Sequence, residues 1–225
     1  LSAFYDNLFR ERVEPHLAAA TGFPKAIAAL EAIMPLLSTA AERSENYQWL
    51  GTVHQAVAAR ALAADDKDTA REHFALSEEF YLKGIDEDPS RLVVRFGLVR
   101  YYLSFGGDPR AAIELLDGHQ PAPLATMSPA DLALEHQRLA LRAVALAFLG
   151  DLDRCARAFD AAFSEEILSR LESGWEFASL EYLAQQGLPF DERTVTGLVE
   201  RLRRCGFRNE ERLDILRRRL LRRES

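Results

Sequence analysis

One spacing of small and large side chains recurs three times and limits what this 225-residue chain can fold into. Ala58 and Ala61 precede Ala70, Phe74 and Ser77; Val99 and Tyr102 precede Ala111, Leu115 and Gly118; Ala143 and Leu146 precede Cys155, Phe159 and Ala162. Each set follows offsets of 3, 9, 4 and 3 residues, and each is broken at the same place, by Asp65, Gly106 or Gly150. Such offsets put the residues on single helix faces, where a small side chain lets a returning helix approach. The large residue four positions after the second small site then fills the space between neighbouring hairpins.

Strand alternation is scarce, and Ala, Leu, Glu and Arg dominate long segments without Pro, so the expected class is all-α. Helices are expected over 2–20, divided or kinked at Pro15, and over 24–40, kinked or ended at Pro35. Further runs cover 45–64 and 67–85 across the Asp65-Asp66 break, then 92–105 and 110–116 across Gly106-Gly107. The stretch from Gly118 to Met127 is the clearest irregular connection. Ser128 caps a helix that has Pro129 in its first turn and reaches Leu149; the next runs through Phe163. Helix is expected again over 165–186, with a possible break at Ser173-Gly174 and an end at Gly187-Leu188-Pro189, then from an Asp191 cap to Cys205, and finally over 209–223. The whole chain, 1–225, reads as a single helical domain: flanking helices over 1–44, a repeat core over 45–163, and C-terminal helices over 164–225.

The pattern resembles the tetratricopeptide repeat, most closely in Ala143-Val-Ala-Leu-Ala-Phe-Leu-Gly-Asp-Leu-Asp-Arg-Cys-Ala-Arg-Ala-Phe-Asp-Ala-Ala162. Leu149-Gly150-Asp151 matches the family's turn, and Cys155, Phe159 and Ala162 match its second-helix packing sites. The resemblance covers residues 52–163 and implies antiparallel hairpins stacked as a right-handed solenoid with a concave binding face. The sequence departs from the family in spacing, since Ala70, Ala111 and Cys155 lie 41 and 44 positions apart against a usual period of about 34, and in lacking the first-helix Trp. An irregular bundle of Ala-rich helices is the alternative.

In the repeat register the inner wall consists of Thr52, Gln55, Ala59 and Leu62; Val93, Phe96, Arg100 and Leu103; and Gln137, Ala140, Val144 and Ala147. Gln55, Phe96, Arg100, Leu103 and Gln137 are the candidate partner-binding residues: apolar seats, one permanent cation and two amides suited to a peptide carrying an acidic group. Phe96 and Leu103 have core packing as their competing role. The Lys and Asn set of the family's carboxylate-clamping variant is not reproduced. Trp49, Tyr81, Tyr101 and Trp175 offer a second surface, with partial core as the alternative.

The chain has 28 Lys and Arg against 35 Asp and Glu, for a net charge of −7. Residues 201–225 nevertheless hold ten Arg and four acids, leaving 1–200 with 18 basic and 31 acidic groups. Arg217, Arg218, Arg219, Arg222 and Arg223 form a candidate basic surface beside the apolar side made by Leu213, Ile215, Leu216 and Leu220. A capping helix is the plainer reading of that run; nucleic acid, an acidic protein or an anionic membrane are its functional alternatives. No window is apolar for long enough to span a membrane, and no positive-then-apolar leader opens the sequence.

Cys155 and Cys205 form no close pair and are expected as reduced packed thiols, in keeping with a cytoplasmic location. None of His16, His54, His73, His119 and His136 belongs to an H-E-x-x-H motif, although His54 and His73 can approach across their hairpin. The acidic Glu78-Glu79 and Asp86-Glu87-Asp88 read as solvated surface, and no phosphate-cradling glycine loop is present. The expectation is a non-enzymatic interaction scaffold, adaptor or regulatory protein without metal or cofactor, whose partner is a protein or peptide. An acidic neutraliser of a basic toxin or enzyme, a nucleic-acid regulator using the Arg-rich end, and an enzyme with a spatially assembled pocket are the alternatives.

Overall fold

The computed structural model describes residues 2–18, 20–171, 192–205, 207 and 209–221, and these are arranged as an all-α fold in which consecutive helices pack on one another. The chain divides into two compact units, Leu1–Ser104 and Phe105–Ser225, so the expected repeat core has parts in both. The expected features at Ser173-Gly174, Gly187-Leu188-Pro189 and Asp191 lie outside the described residues.

In the first unit, α1 (Ala3–Arg12) begins at a Ser2 cap and breaks at Val13, after which α2 (Glu14–Leu17) carries Pro15 in its first turn. α3 (Phe23–Ile33) passes into a 3₁₀ turn holding Pro35, which has no N–H to continue the helix. α4 (Ala40–Ala63) starts five residues before the expected position because Thr39 and Glu42 close a capping box. Tyr5, Val13, Leu30, Ile33, Leu50 and Val53 bury one core among α1, α3 and α4.

The centre of this unit is the antiparallel pair α4 and α5 (Lys67–Glu87). Small residues recur every seventh position on both: Ser44, Gly51 and Ala58 on α4, and Ala70, Ser77 and Gly84 on α5, all buried. A seven-residue repeat keeps one seam facing the partner helix over successive turns. Ser44 donates to the Gly84 carbonyl at 2.7 Å, and Ser77 donates to the Gly51 carbonyl at 2.8 Å. The backbones are thus drawn together twice by the same bond running in opposite directions.

α6 (Leu92–Tyr101) lies against both α4 and α5. Tyr81 of α5 fills the space left by two glycines: a Cβ on Gly51 would lie 3.0 Å from its ring, and one on Gly97 of α6 would lie 2.4 Å from it. α6 then widens into a single π turn, Tyr102–Gly106, instead of continuing as regular α-helix to Phe105.

The second unit contains α7 (Pro109–Asp117), α8 (Pro129–Phe148), α9 (Leu152–Ala162), α10 (Glu165–Leu168), α11 (Glu192–Arg204) and α12 (Glu210–Leu221). Ser128 caps α8 as expected, accepting from the Asp131 N–H. The irregular 118–127 connection includes a short 3₁₀ turn, Leu124–Thr126, whose Leu124 carbonyl accepts from Arg170 at 2.7 Å; the Met127 carbonyl accepts from the same guanidinium at 2.8 Å.

Three turns share one local design. Asp65, Gly107 and Gly150 adopt left-handed φ of 60°, 64° and 75°. Each is followed by an Asp cap, Asp66, Asp108 or Asp151, that accepts from the N–H three residues on at 3.0–3.1 Å. The left-handed residue of the second turn is therefore Gly107 and not Gly106. Its buried second-helix sites are Ala112 and Leu116, in place of the expected Ala111 and Leu115, which are half-buried. The π turn accounts for this shift, because an i→i+5 turn absorbs one residue more than an α turn. Counted from the left-handed residues, the copies are 42 and 43 positions apart, more even than the sequence spacing.

Gly97→Ala is expected to destabilise the first unit by about 1–3 kcal/mol through overlap with the sealed Tyr81 ring. Gly197→Ala on α11, where an added Cβ meets nothing within 4 Å among the described residues, is expected to stabilise by about 0.5–1 kcal/mol. Urea unfolding of both variants beside the parent checks the contrast.

Candidate functional site

Tyr81 reaches between α4 and α6 and ends on polar partners. Its hydroxyl lies 3.1 Å from Thr52 Oγ1 and donates to Gln55 Oε1 at 3.2 Å. Burial raises the phenol above its ordinary range; the Thr52 hydrogen bond and then the nearby Arg100 cation act against that rise. Thr52 is exposed, and Gln55 and Arg100 are half-buried; of the candidate residues, Gln55 of α4 bonds the phenol and the Arg100 cation of α6 acts on it electrostatically. One turn before Thr52, the Gln48 carbonyl accepts from the Thr52 hydroxyl at 2.9 Å, and the Gln48 Oε1 is buried without a partner.

The other candidates are placed differently. Phe96 is 0% exposed and Leu103 8%, so both are core side chains of the first unit and present no surface for a peptide. Val93 and Leu62 are exposed, and Ala59 is half-buried. In the second unit, Gln137 and Ala147 of α8 are half-buried, whereas Ala140 and Val144 are core. In the first unit the exposed and half-buried wall positions are therefore mixed: Thr52, Gln55 and Arg100 are polar, and Val93, Leu62 and Ala59 are apolar.

The proposed aromatic surface is mainly interior. Tyr81 is 2% exposed; Tyr101 is buried against Phe74, with ring centroids 5.9 Å apart. Trp49 is half-buried against Phe9 at 4.7 Å and donates from Nε1 to Glu45 at 3.1 Å. Trp175 lies outside the described residues. An open groove beside Tyr101 is lined by Leu62, Ala70, Phe74, Lys67, Arg71 and Glu78, among others, and Glu78 accepts from the Tyr102 hydroxyl at 2.7 Å.

The basic C-terminal region is extensively paired. Arg217 meets Glu192 at 3.1 Å, Arg201 meets Asp160 at 2.9 Å, Arg203 meets Glu210 at 2.6 Å and Arg204 meets Glu165 at 2.6 Å. Arg218 donates to the Asp214 carbonyl, Arg219 is exposed, and Arg222 and Arg223 lie outside the described residues. Leu213, Leu216 and Leu220 are buried, but Ile215 is 40% exposed and does not belong to their face.

His54 and His73 meet across α4 and α5, with their Nδ1 atoms 2.8 Å apart. Among the described residues no three His, Cys, Asp or Glu side chains form a group able to hold a metal ion. Cys155 is buried and Cys205 half-buried, both as free thiols, and burial raises each above the ordinary thiol range. Among the described residues, no helix is long and apolar enough to cross a membrane. In the second unit, His136 contacts the Ala162 carbonyl through Nδ1 at 2.8 Å, and Arg138 forms a two-bond pair with Glu135 at 2.7 Å.

Sequence reasoning placed Gln55 and Arg100 on one wall but missed that Tyr81 joins them. The available signal was Gly51 and Gly97, whose missing side chains leave room for a phenol between α4 and α6. No family model, curated protein or solved structure matches this chain.

Tyr81→Phe keeps the ring and deletes the hydroxyl shared by Thr52 and Gln55, so it is expected to cost about 1 kcal/mol. Denaturant unfolding measures the cost, and an unchanged midpoint would mean that the hydroxyl bonds contribute nothing.

Proposed function

We propose that this chain is a non-enzymatic interaction scaffold of the tetratricopeptide type, which binds a peptide or protein segment along the α4–α6 wall. The observation that carries this reading is the Tyr81 hydroxyl held between Thr52 and Gln55 of α4, with the Arg100 cation of the neighbouring α6 acting on it electrostatically. Amides and hydroxyls on such a wall suit a partner's backbone, and a guanidinium suits a carboxylate through paired donors. The three turns support the repeat interpretation, because each places a left-handed residue directly before an Asp helix cap. The carboxylates across from Arg201, Arg203, Arg204 and Arg217 favour a capping role for the C-terminal region over a nucleic-acid role.

Arg100→Glu is expected to weaken partner binding at least about tenfold, the loss of one charge-assisted contact, with helical content unchanged by circular dichroism. The partner is recovered by affinity capture on the parent chain, its affinity is measured for both forms, and hydrogen exchange locates the protected helices. Equal affinity for the variant, or protection confined to α12, would rule out the wall.

A further inference from the structure

The 2.8 Å contact between His54 Nδ1 and His73 Nδ1 has room for one hydrogen, so one ring donates and the other accepts. His54 is 5% exposed, lies against Phe80 with ring centroids 5.2 Å apart, and has its Nε2 sealed without a partner among the described residues. That sealed atom selects the tautomers. With its hydrogen on Nε2, His54 would bury an unpaired donor; with the hydrogen on Nδ1 and donated to His73, it buries only a lone pair, the milder defect. The half-buried His73 then keeps its own hydrogen on Nε2.

We propose that His54 and His73 form a proton-sensitive latch, which holds the α4–α5 hairpin closed at neutral pH and releases it in mildly acidic solution. An added proton has no good position. Placed on His73 Nδ1, it removes the acceptor and sets two N–H groups against each other. If His54 moves its hydrogen to Nε2, the bond re-forms in the opposite direction, but a donor is then buried unpaired beside Phe80. A second proton would put two imidazolium ions in contact.

The surroundings do not relieve this. Arg71 and Glu72 beside His73 on α5 are exposed, as are Arg60 on α4 and Lys25 and Glu31 on α3, while on α6 Arg100 acts on Tyr81. Burial first, and then the second imidazole, push His54 down to about 4. The unfolded chain, with an ordinary histidine near roughly 6.5, takes the proton more readily. The latch therefore contributes its full stability above that value and loses it as pH falls toward 4. Glu42, held down to about 2 first by Ser2 and then by Thr39, stays ionised through this window and does not produce the effect.

The latch stands whether or not the α4–α6 wall binds a partner. Its test is imidazole ¹⁵N NMR on the full chain from pH 7.5 to 5, with amide hydrogen exchange corrected for the intrinsic acid slowing. His54 is expected to stay neutral at pH 6, while exchange in α4 and α5 accelerates toward about tenfold per pH unit below 6.5, the slope for one proton. His54→Gln/His73→Gln, whose amides still pair but do not titrate, is expected to remove that acceleration. An ordinary titration of His54 with unchanged exchange, or the same acid response in the double variant, overturns the latch. If the double variant fails to fold, the titration of the parent chain decides alone.

Discussion

The first unit depends on how closely α4 and α5 approach. Ser44, Gly51 and Ala58 face Gly84, Ser77 and Ala70, and no member of the set has a side chain larger than a hydroxymethyl group. Small side chains alone permit a close approach without holding it. The two Ser-to-carbonyl bonds hold it, because each satisfies a buried hydroxyl only while the facing backbone stays within hydrogen-bond reach. The equivalent positions of α8 and α9 follow a related solution: His136 stands where Gly51 does and contacts the Ala162 carbonyl, so a large side chain there spans the separation that serine spans in the first unit.

Much of the fold was legible because its strongest signals are local. Pro15, Pro35, Ser128 and the Asp65 and Gly150 turns act on their own backbones, and helix ends can be read from them. The one-residue error at Ala111 and Leu115 has a different cause. The π turn after α6 adds one residue that composition does not announce, so a spacing copied from the other two turns runs one position early. The division after Ser104 was equally invisible, since compactness is a property of long-range packing.

The candidate site was legible in outline only. Periodicity assigns a residue to a helix face, but a face turned toward a groove and a face turned toward another helix have the same period. Phe96 and Leu103 illustrate this: the register that places Arg100 at the wall also names them, and burial separates the three. Large apolar residues at wall positions gain more by entering the core than by waiting for a partner, at about 25 cal/mol per Å² of apolar surface removed from water. Tyr81 is amphipathic and so suits a surface or a partial core; the structure buries it, because only its hydroxyl needs polar company and Thr52 and Gln55 supply that.

The histidine pair is a consequence of the same close approach. His54 follows Gly51 by one turn, and His73 precedes Ser77 by one turn, so the distance set by the Gly51–Ser77 contact is inherited at their Nδ1 atoms. Were larger residues to spread the two helices, the rings would separate, water would reach His54 Nε2, and its proton affinity would return toward that of an ordinary histidine. Close packing and acid sensitivity are therefore linked in this hairpin: the small residues that let α4 and α5 dock tightly also remove the space and solvent that a second proton requires.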